Sequence, residues 1–343
     1  MFKFLRRTLS KSKPQPEYQT HDIQQAPTEI AVEGMPPLVL TEHLSWHNGF
    51  PIPDWSAVYS WLDTITDESK KSAAYNACER AWLLHFAEAL GANYRLSESE
   101  YAIVLSSAEP GIVKATLDYM ERTLKRISGI LNGLAEIPVD GKDVLIKFDD
   151  QDAYYRYVFH YHPESGEFAH SSGMHINTGC SHFVMVKDDL SVIEPIIVHE
   201  MTHACLSHLY LLPLWINEGL AVNVERRLAR QGVPLSTPQQ MQEKHMRFWG
   251  DAEIQEFWSG KSFYRPGDAS ELSYDLARIL VEQLARDWDQ FRPFVLAADW
   301  RDGGASAARE ILGISLGEWV ASMFEKENAE AFEPRETEKA DQL

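Results

Sequence analysis

In Val198-His199-Glu200-Met201-Thr202-His203, two imidazoles and a carboxylate interrupt an otherwise apolar run. Ile196-Ile197 precedes the segment and Leu211-Leu212-Pro213-Leu214-Trp215 closes the run. On a helix, four residues bring His203 round to within roughly 40° of His199, one turn along the axis. Both rings then face the same way and can bind one metal ion. Glu200 lies one step round, beside that site, where a carboxylate can take a proton from water. A core helix whose histidines are satisfied by hydrogen bonds would carry the same letters, so the residues that follow decide the matter.

Pro213 breaks the first helix, expected to open between Ser191 and Pro195 and to reach about Leu209. It can also sit in the first turn of a second helix running to about Arg230 and ending near Gly232. His203 to Leu209 is about 9 Å of rise, and Pro213 to Glu218 is about 7.5 Å back. If the helices pack antiparallel, Glu218 returns nearly to the level of His203. Two His and one Glu leave a fourth position open, as a catalytic zinc site requires. Most glutamates are exposed, but Trp215, Ile216, Leu220 and Val222 surround this one. A buried carboxylate without a partner is costly, and a metal removes that cost. Asn217 could orient a ligand, and Gly219 and Ala221 are small enough to let another helix approach closely.

Several further residues carry weaker signals. Glu225 follows Glu218 by two turns and could hold a ligand histidine, although a solvated carboxylate is the commoner state. His160, His162, His170, His175 and His182 crowd one region, where any could line a cleft or compete with Glu218 as third ligand. Cys205 lies about 200° round the helix from His203 and reads as core.

Periodicity predicts helices over Trp55–Leu90 and from Gly111 to Leu134, with a strand between them at Glu100–Ser106. Residues 144 to 187 include VLIKF, YYRYVFHYH, GMHIN and HFVMVK, whose β-branched and aromatic content predicts three or four strands in an antiparallel sheet. After that the pattern is helical, with capping-box spacing at Ser191/Glu194, Asp268/Glu271 and Ser315/Glu318. The expected fold is α+β: a mainly helical domain with a small antiparallel or mixed sheet preceding the HExxH helix. Its organisation reads as a flexible segment 1–35, a helical region 36–99, a catalytic domain 100–328 and a disordered acidic tail 329–343.

A net charge of −19 argues against a nucleic-acid partner. Cys78, Cys180 and Cys205 are few and odd in number, which suits a reducing, cytoplasmic setting. No stretch is long and apolar enough for a membrane span. Phe2, Phe4, Leu5 and Leu9 beside Lys3, Arg6 and Arg7 could form a short basic amphipathic helix, but a frayed tail is the favoured expectation.

HEMTH followed by the glutamate of WINEGLA resembles the gluzincin branch of zinc metallopeptidases, and the Glu218-Gly219-Leu220-Ala221 segment is similar to that of the peptidase-MA-like group. The resemblance is specific over residues 190 to 225 and looser from about 100 to 325. It implies a zincin-like fold with zinc held by His199, His203 and Glu218, Glu200 as general base, and an edge strand that aligns an extended peptide. Gluzincins often add a later Tyr or His to stabilise the oxyanion, which makes Tyr274 the candidate here. The spacing to Glu218 is shorter than in the aminopeptidases and their GAMEN-type loop is absent, so an endopeptidase is expected rather than an exopeptidase. Leu206 and Leu209 stand where a metzincin needs Gly and His. The alternatives are a non-hydrolytic binding or regulatory protein on the same fold, and a zinc amidase acting on a non-peptide amide.

Overall fold

A computed structural model describes residues 19–21, 26–137, 141–161, 173–176, 178–188, 190–229 and 236–336. Its strands are β1 (Gln19–His21), β2 (Leu44–His47), β3 (Phe50–Pro53), β4 (Arg95–Glu98), β5 (Ala102–Ser106), β6 (Asp143–Phe148), β7 (Gly173–Ile176) and β8 (His182–Val186). β2 and β3 form a separate hairpin, and the other six join in the order β1-β4-β5-β6-β8-β7. β5, β6 and β8 run parallel, while β1, β4 and β7 are antiparallel to their neighbours.

The first helices are α1 (Trp55–Leu62), α2 (Glu68–Leu90), α3 (Pro110–Ile130) and α4 (Gln151–Tyr161). α5 (Leu190–Leu206) and α6 (Leu214–Leu228) carry the HExxH segment and Glu218. Then come α7 (Pro238–Phe248), α8 (Asp251–Trp258), α9 (Asp268–Leu284), α10 (Trp288–Ala297), the single turn α11 (Ala305–Ala307), α12 (Leu316–Met323) and α13 (Ala329–Phe332). The protein is thus mixed α+β and predominantly helical. Among the described residues, no helix is long and apolar enough to cross a membrane.

The two-residue repeat of a strand assigns each sheet residue to one of two layers. Val104, Leu145, Phe183 and Met185 pack with α3, α5 and the C-terminal helices. Ile103, Leu105, Val144, Ile146 and Val184 pack with α2, α4 and the hairpin. Burial on both faces explains why β5 and β6 are nearly continuous apolar runs and not alternating ones.

Of the antiparallel and mixed sheets expected, the mixed form is present, because β5–β6 and β6–β8 are joined by helical crossovers. Three expectations are corrected. YYRYVFHYH is helical as far as Tyr161, its last described residue: Asp150 accepts from the Ala153 amide at 2.7 Å, and Ala153, Tyr154, Tyr157 and Val158 form one buried stripe, so helical spacing outweighs strand-like composition. The division at residues 99 and 100 falls inside the β4–β5 hairpin. The start of the expected tail is folded as α13: Phe332 is buried, and Trp258 donates to its carbonyl at 2.8 Å. Within the lead-in, β1 pairs with β4 and Ile30 bridges Leu38. Residues 1–18, with the basic amphipathic stretch, and 337–343 lie outside the described residues.

Of the expected caps, Ser315 accepts from the Glu318 amide at 3.0 Å. Gly267, not Asp268, precedes α9, and Asp268 instead meets Lys244 at 3.0 Å. The Ser191 side chain lies outside the described residues. A full capping box opens α7 at Thr237 and Gln240, where none was expected.

Asp143 opens β6 on the face that carries Leu145, and burial raises its pKa from 3.8 to about 7. Its Oδ2 has no hydrogen-bond partner among the described residues. The folded chain therefore binds this proton more tightly than the unfolded chain. Its contribution to stability is fully present below about pH 4 and is lost as pH rises through about 7. Asp143→Asn should remove that loss, gaining on the order of 3 kcal/mol on wild type between pH 4 and pH 8. Urea midpoints at both pH values check this, and a variant that tracks wild type would refute it.

Candidate metal centre

The turn between α5 and α6 is built from local sequence. α5 ends at Leu206, three residues before the expected Leu209, and backbone bonds Leu209 to Leu206 and Leu212 to Leu209 close the chain back on itself. Pro213, at φ −55°, takes the N-cap of α6 and is accepted there because a first-turn amide has no helical partner. α6 ends at Leu228, and Arg230 and Gly232 lie outside the described residues.

The helices pack antiparallel, so later residues of α5 meet earlier residues of α6. His203 Nδ1 lies 2.9 Å from Asn217 Oδ1, and His199 Nδ1 lies 3.2 Å from Glu225 Oε2. Both oxygens are acceptors, so each Nδ1–H donates, and each ring is oriented with Nε2 toward the centre. Those two Nε2 atoms face Glu218 Oε2, at 3.2 Å from His199 and 3.5 Å from His203. Neither approach is a hydrogen bond, and Glu218 Oε2 is a buried acceptor without a partner among the described residues. Three electron-pair donors thus converge in a site nearly closed to water.

This arrangement fits a bound cation. Tetrahedral zinc, with bonds of about 2.0–2.1 Å, sets its ligand atoms roughly 3.3 Å apart. The two carboxylate–imidazole separations match that edge, all three ligand atoms lie within 4.8 Å of one another, and His199, His203 and Glu218 are the one such group of three among the described residues. Two imidazoles and a carboxylate are also the donor set of a catalytic zinc.

Electrostatics within the site is strongly coupled. Burial opposes charge on His199, but contacts with Glu218 and Glu225 raise its pKa well above the ordinary value. His203 shifts the same way, burial opposing and Glu218 prevailing. Burial would raise Glu218, yet His203 and His199 hold it well below the usual carboxylate range. Glu200 is raised by burial, an effect that the two histidines only partly offset. Tyr274 lies with its ring centroid 6.4 Å from that of His199. The charge of Glu218, and then burial, raise its phenol well above the ordinary value, so it remains a hydrogen-bond donor.

Gly219 explains how Tyr274 reaches the centre. A Cβ there would lie 2.6 Å from Ala277 O and 2.6 Å from Val281 Cγ2, so only glycine permits this approach of α6 to α9. Asn223 fixes the same contact by donating to Arg278 O at 2.9 Å.

Of the remaining histidines, His160 lies against His47 with tilted rings, His182 is bound between Tyr157 and the Cys180 carbonyl, and His175, whose ring meets Ser181 at 2.6 Å, borders the centre through its backbone amide, which donates to Glu200. His162 and His170 lie outside the described residues. Cys205 is buried in the core. Glu225 is the residue whose role the sequence favoured least, and its spacing of two turns from Glu218 was the signal for it. Comparison of the chain with protein-family models, with curated proteins and with solved structures finds no match.

Two outcomes follow from this geometry. Glu225→Gln keeps an acceptor for His199 but removes the charge, and zinc affinity measured by chelator competition should fall about 10-fold or more with the fold intact; unchanged affinity would count against the orienting role. Gly219→Ala should lower stability by about 1–3 kcal/mol despite alanine's helix preference, because Ala277 O must move. A thermal midpoint at or above wild type would show that α9 yields freely.

Proposed function

We propose that this chain is a zinc-dependent peptidase, working in the cytoplasm on peptide or protein substrates, with internal bonds as its targets. The observation that carries the reading is the unpartnered Oε2 of Glu218 facing two imidazole nitrogens whose other ring positions are already committed. His199, His203 and Glu218 would hold the ion, which when bound supplies Lewis acidity toward a carbonyl and toward water.

The other residues perform the proton chemistry and positioning. Glu200, with its raised affinity for a proton, accepts one from the attacking water and passes it to the leaving amine. Tyr274 donates its phenol hydrogen to the oxygen on which negative charge develops. Asn217 and Glu225 keep both imidazoles in the orientation that directs Nε2 inward. β7 is the edge strand of the sheet and packs beside α5, which suits an extended peptide added as a further strand. Three buried free cysteines agree with a reducing compartment.

Glu200→Gln is the decisive variant. It should reduce peptide hydrolysis by about 10²–10⁴-fold while bound zinc, measured by elemental analysis, stays near one equivalent. Loss of zinc together with activity, or activity that survives, would overturn these roles. Zinc bound by a wild-type chain that cleaves nothing in a broad peptide library would support a binding module instead.

A further inference from the structure

A cavity of about 180 Å³ lies on the face of the sheet opposite α5, outside the carboxyl end of β6. That end of a parallel strand is where open sheets bind their ligands. Phe50, Tyr94 and Ala153 line the cavity and are buried, so its walls belong to the core layer of α2, α4 and the hairpin. Its size falls below the roughly 300 Å³ at which drug-sized pockets begin, and suits a ligand of few heavy atoms.

The hairpin turn shapes one wall. Asn48 and Gly49 both have positive φ, at 52° and 89°, as a tight two-residue turn requires. Asn48 Nδ2 donates to Arg156 O at 3.0 Å and ties the turn to α4. The Arg156 guanidinium lies over the Phe50 ring, with Cζ 5.4 Å from the centroid. Among the described residues it has no ion pair and no side-chain hydrogen bond, although acidic residues outnumber basic ones by 51 to 32. A guanidinium stacked in this way keeps its N–H edge free for a planar acceptor.

Unused negative charge lines the same cavity. Asp150 commits one carboxylate oxygen to the Ala153 amide at 2.7 Å, and its other oxygen has no partner among the described residues. Ala89 and Leu90 contribute the last turn of α2, whose terminal carbonyls favour a positive group. Asp149 is already engaged, its carboxylate by Ser107 and Lys187 and its amide by the Tyr94 hydroxyl. Arg156 and Asp150 thus border one space without pairing with each other. A lone anion would serve Arg156 and crowd Asp150, and a lone cation would do the reverse.

We infer that this cavity binds a small zwitterion of the α-amino-acid class, with Asp150 and the end of α2 taking its ammonium and Arg156 taking its carboxylate. The site is separate from the metal centre, because α5 and α6 pack on the other face of the sheet. The inference therefore does not depend on the proposed hydrolytic role.

Calorimetry on the full chain, with each standard free L-amino acid in turn as the probe, tests this. At least one should bind. Its amide, which lacks the carboxylate, and its deamino acid, which lacks the ammonium, should each bind about 10-fold or more weakly. Arg156→Met keeps the aliphatic stem on Phe50 and Asp150→Asn keeps the helix cap, so both variants should hold the thermal midpoint while weakening the amino acid by a similar factor. Failure of every amino acid to bind overturns the inference, as does equal affinity for the amide or the deamino acid. Binding that survives both variants belongs elsewhere on the chain and overturns it too.

Discussion

Glu218 places a carboxylate oxygen 3.2 and 3.5 Å from two imidazole nitrogens, in a site where all three side chains are largely withdrawn from water. That contact cannot persist as a meeting of lone pairs alone, because three unscreened electron-pair donors in a medium of low dielectric repel one another strongly. Positive charge has to lie among them, carried either by protons on the rings or by a metal ion. Much of the surrounding structure serves to hold this configuration. Asn217 and Glu225 fix the outer nitrogens, so rotating either ring to relieve the crowding would break a hydrogen bond. Trp215 and Ile216, both fully buried, prevent α6 from turning its carboxylate toward solvent.

The sheet and the C-terminal helices clamp the α5–α6 pair from opposite sides. Ile193, Ile197, Val198 and Met201 place α5 in the layer that also receives Phe183 and Met185 from the sheet. Gly173 on β7 allows that seating, since a Cβ there would lie 2.6 Å from Ile196 Cγ2. On the far side, Trp215 donates to Gly303 O at 2.9 Å, and the amide of Trp300 bonds to Leu211 O at 2.8 Å. The turn between the two helices is thereby tied to residues almost ninety positions later. Chemistry that depends on placement to a fraction of an ångström needs such bracing from rigid elements. The helices after α6 are therefore a buttress for the centre and continuous with its core.

What could be read from the sequence was what local geometry encodes. The shared face of His199 and His203 follows from helical rise and twist, and the return of Glu218 follows from Pro213 and the length of one short turn. Of the partners of the two imidazoles, Asn217 was accessible because it adjoins Glu218, whereas Glu225, two turns on, read more readily as a solvated carboxylate. Failures came where composition and spacing disagreed or where partners were remote. The tyrosines of 154–157 suggested a strand, yet the four-residue spacing of the buried pairs Ala153/Tyr157 and Tyr154/Val158 and the Asp150 cap make a helix. The parallel pairing of β6 with β8 depends on a crossover that no local pattern announces. Phe332 is buried by Trp258, more than seventy residues earlier, so its charged neighbours gave a misleading impression of a tail. Tyr274 came from family resemblance alone, because the contact that brings α9 to α6 is written in Gly219 and Ala277, on separate helices.

Glu200 and Glu218 show how one small volume can assign two carboxylates opposite tasks. Both are deeply buried, and burial acts on both in the same direction, toward the protonated form. They differ in how many imidazoles they face at close range. Glu218 lies against both Nε2 atoms and is driven to the ionised form that a ligand requires. Glu200 projects from the next step of α5, where the same histidines reach it only through space, and burial prevails. One carboxylate is thus held as an anion while its neighbour keeps an appetite for a proton, which is the separation that the proposed roles of ligand and base require. That division follows chiefly from the single residue of offset between Glu200 and His199 on a helix whose neighbour returns antiparallel, while the His175 amide of β7 donates to Glu200 and offsets part of its burial.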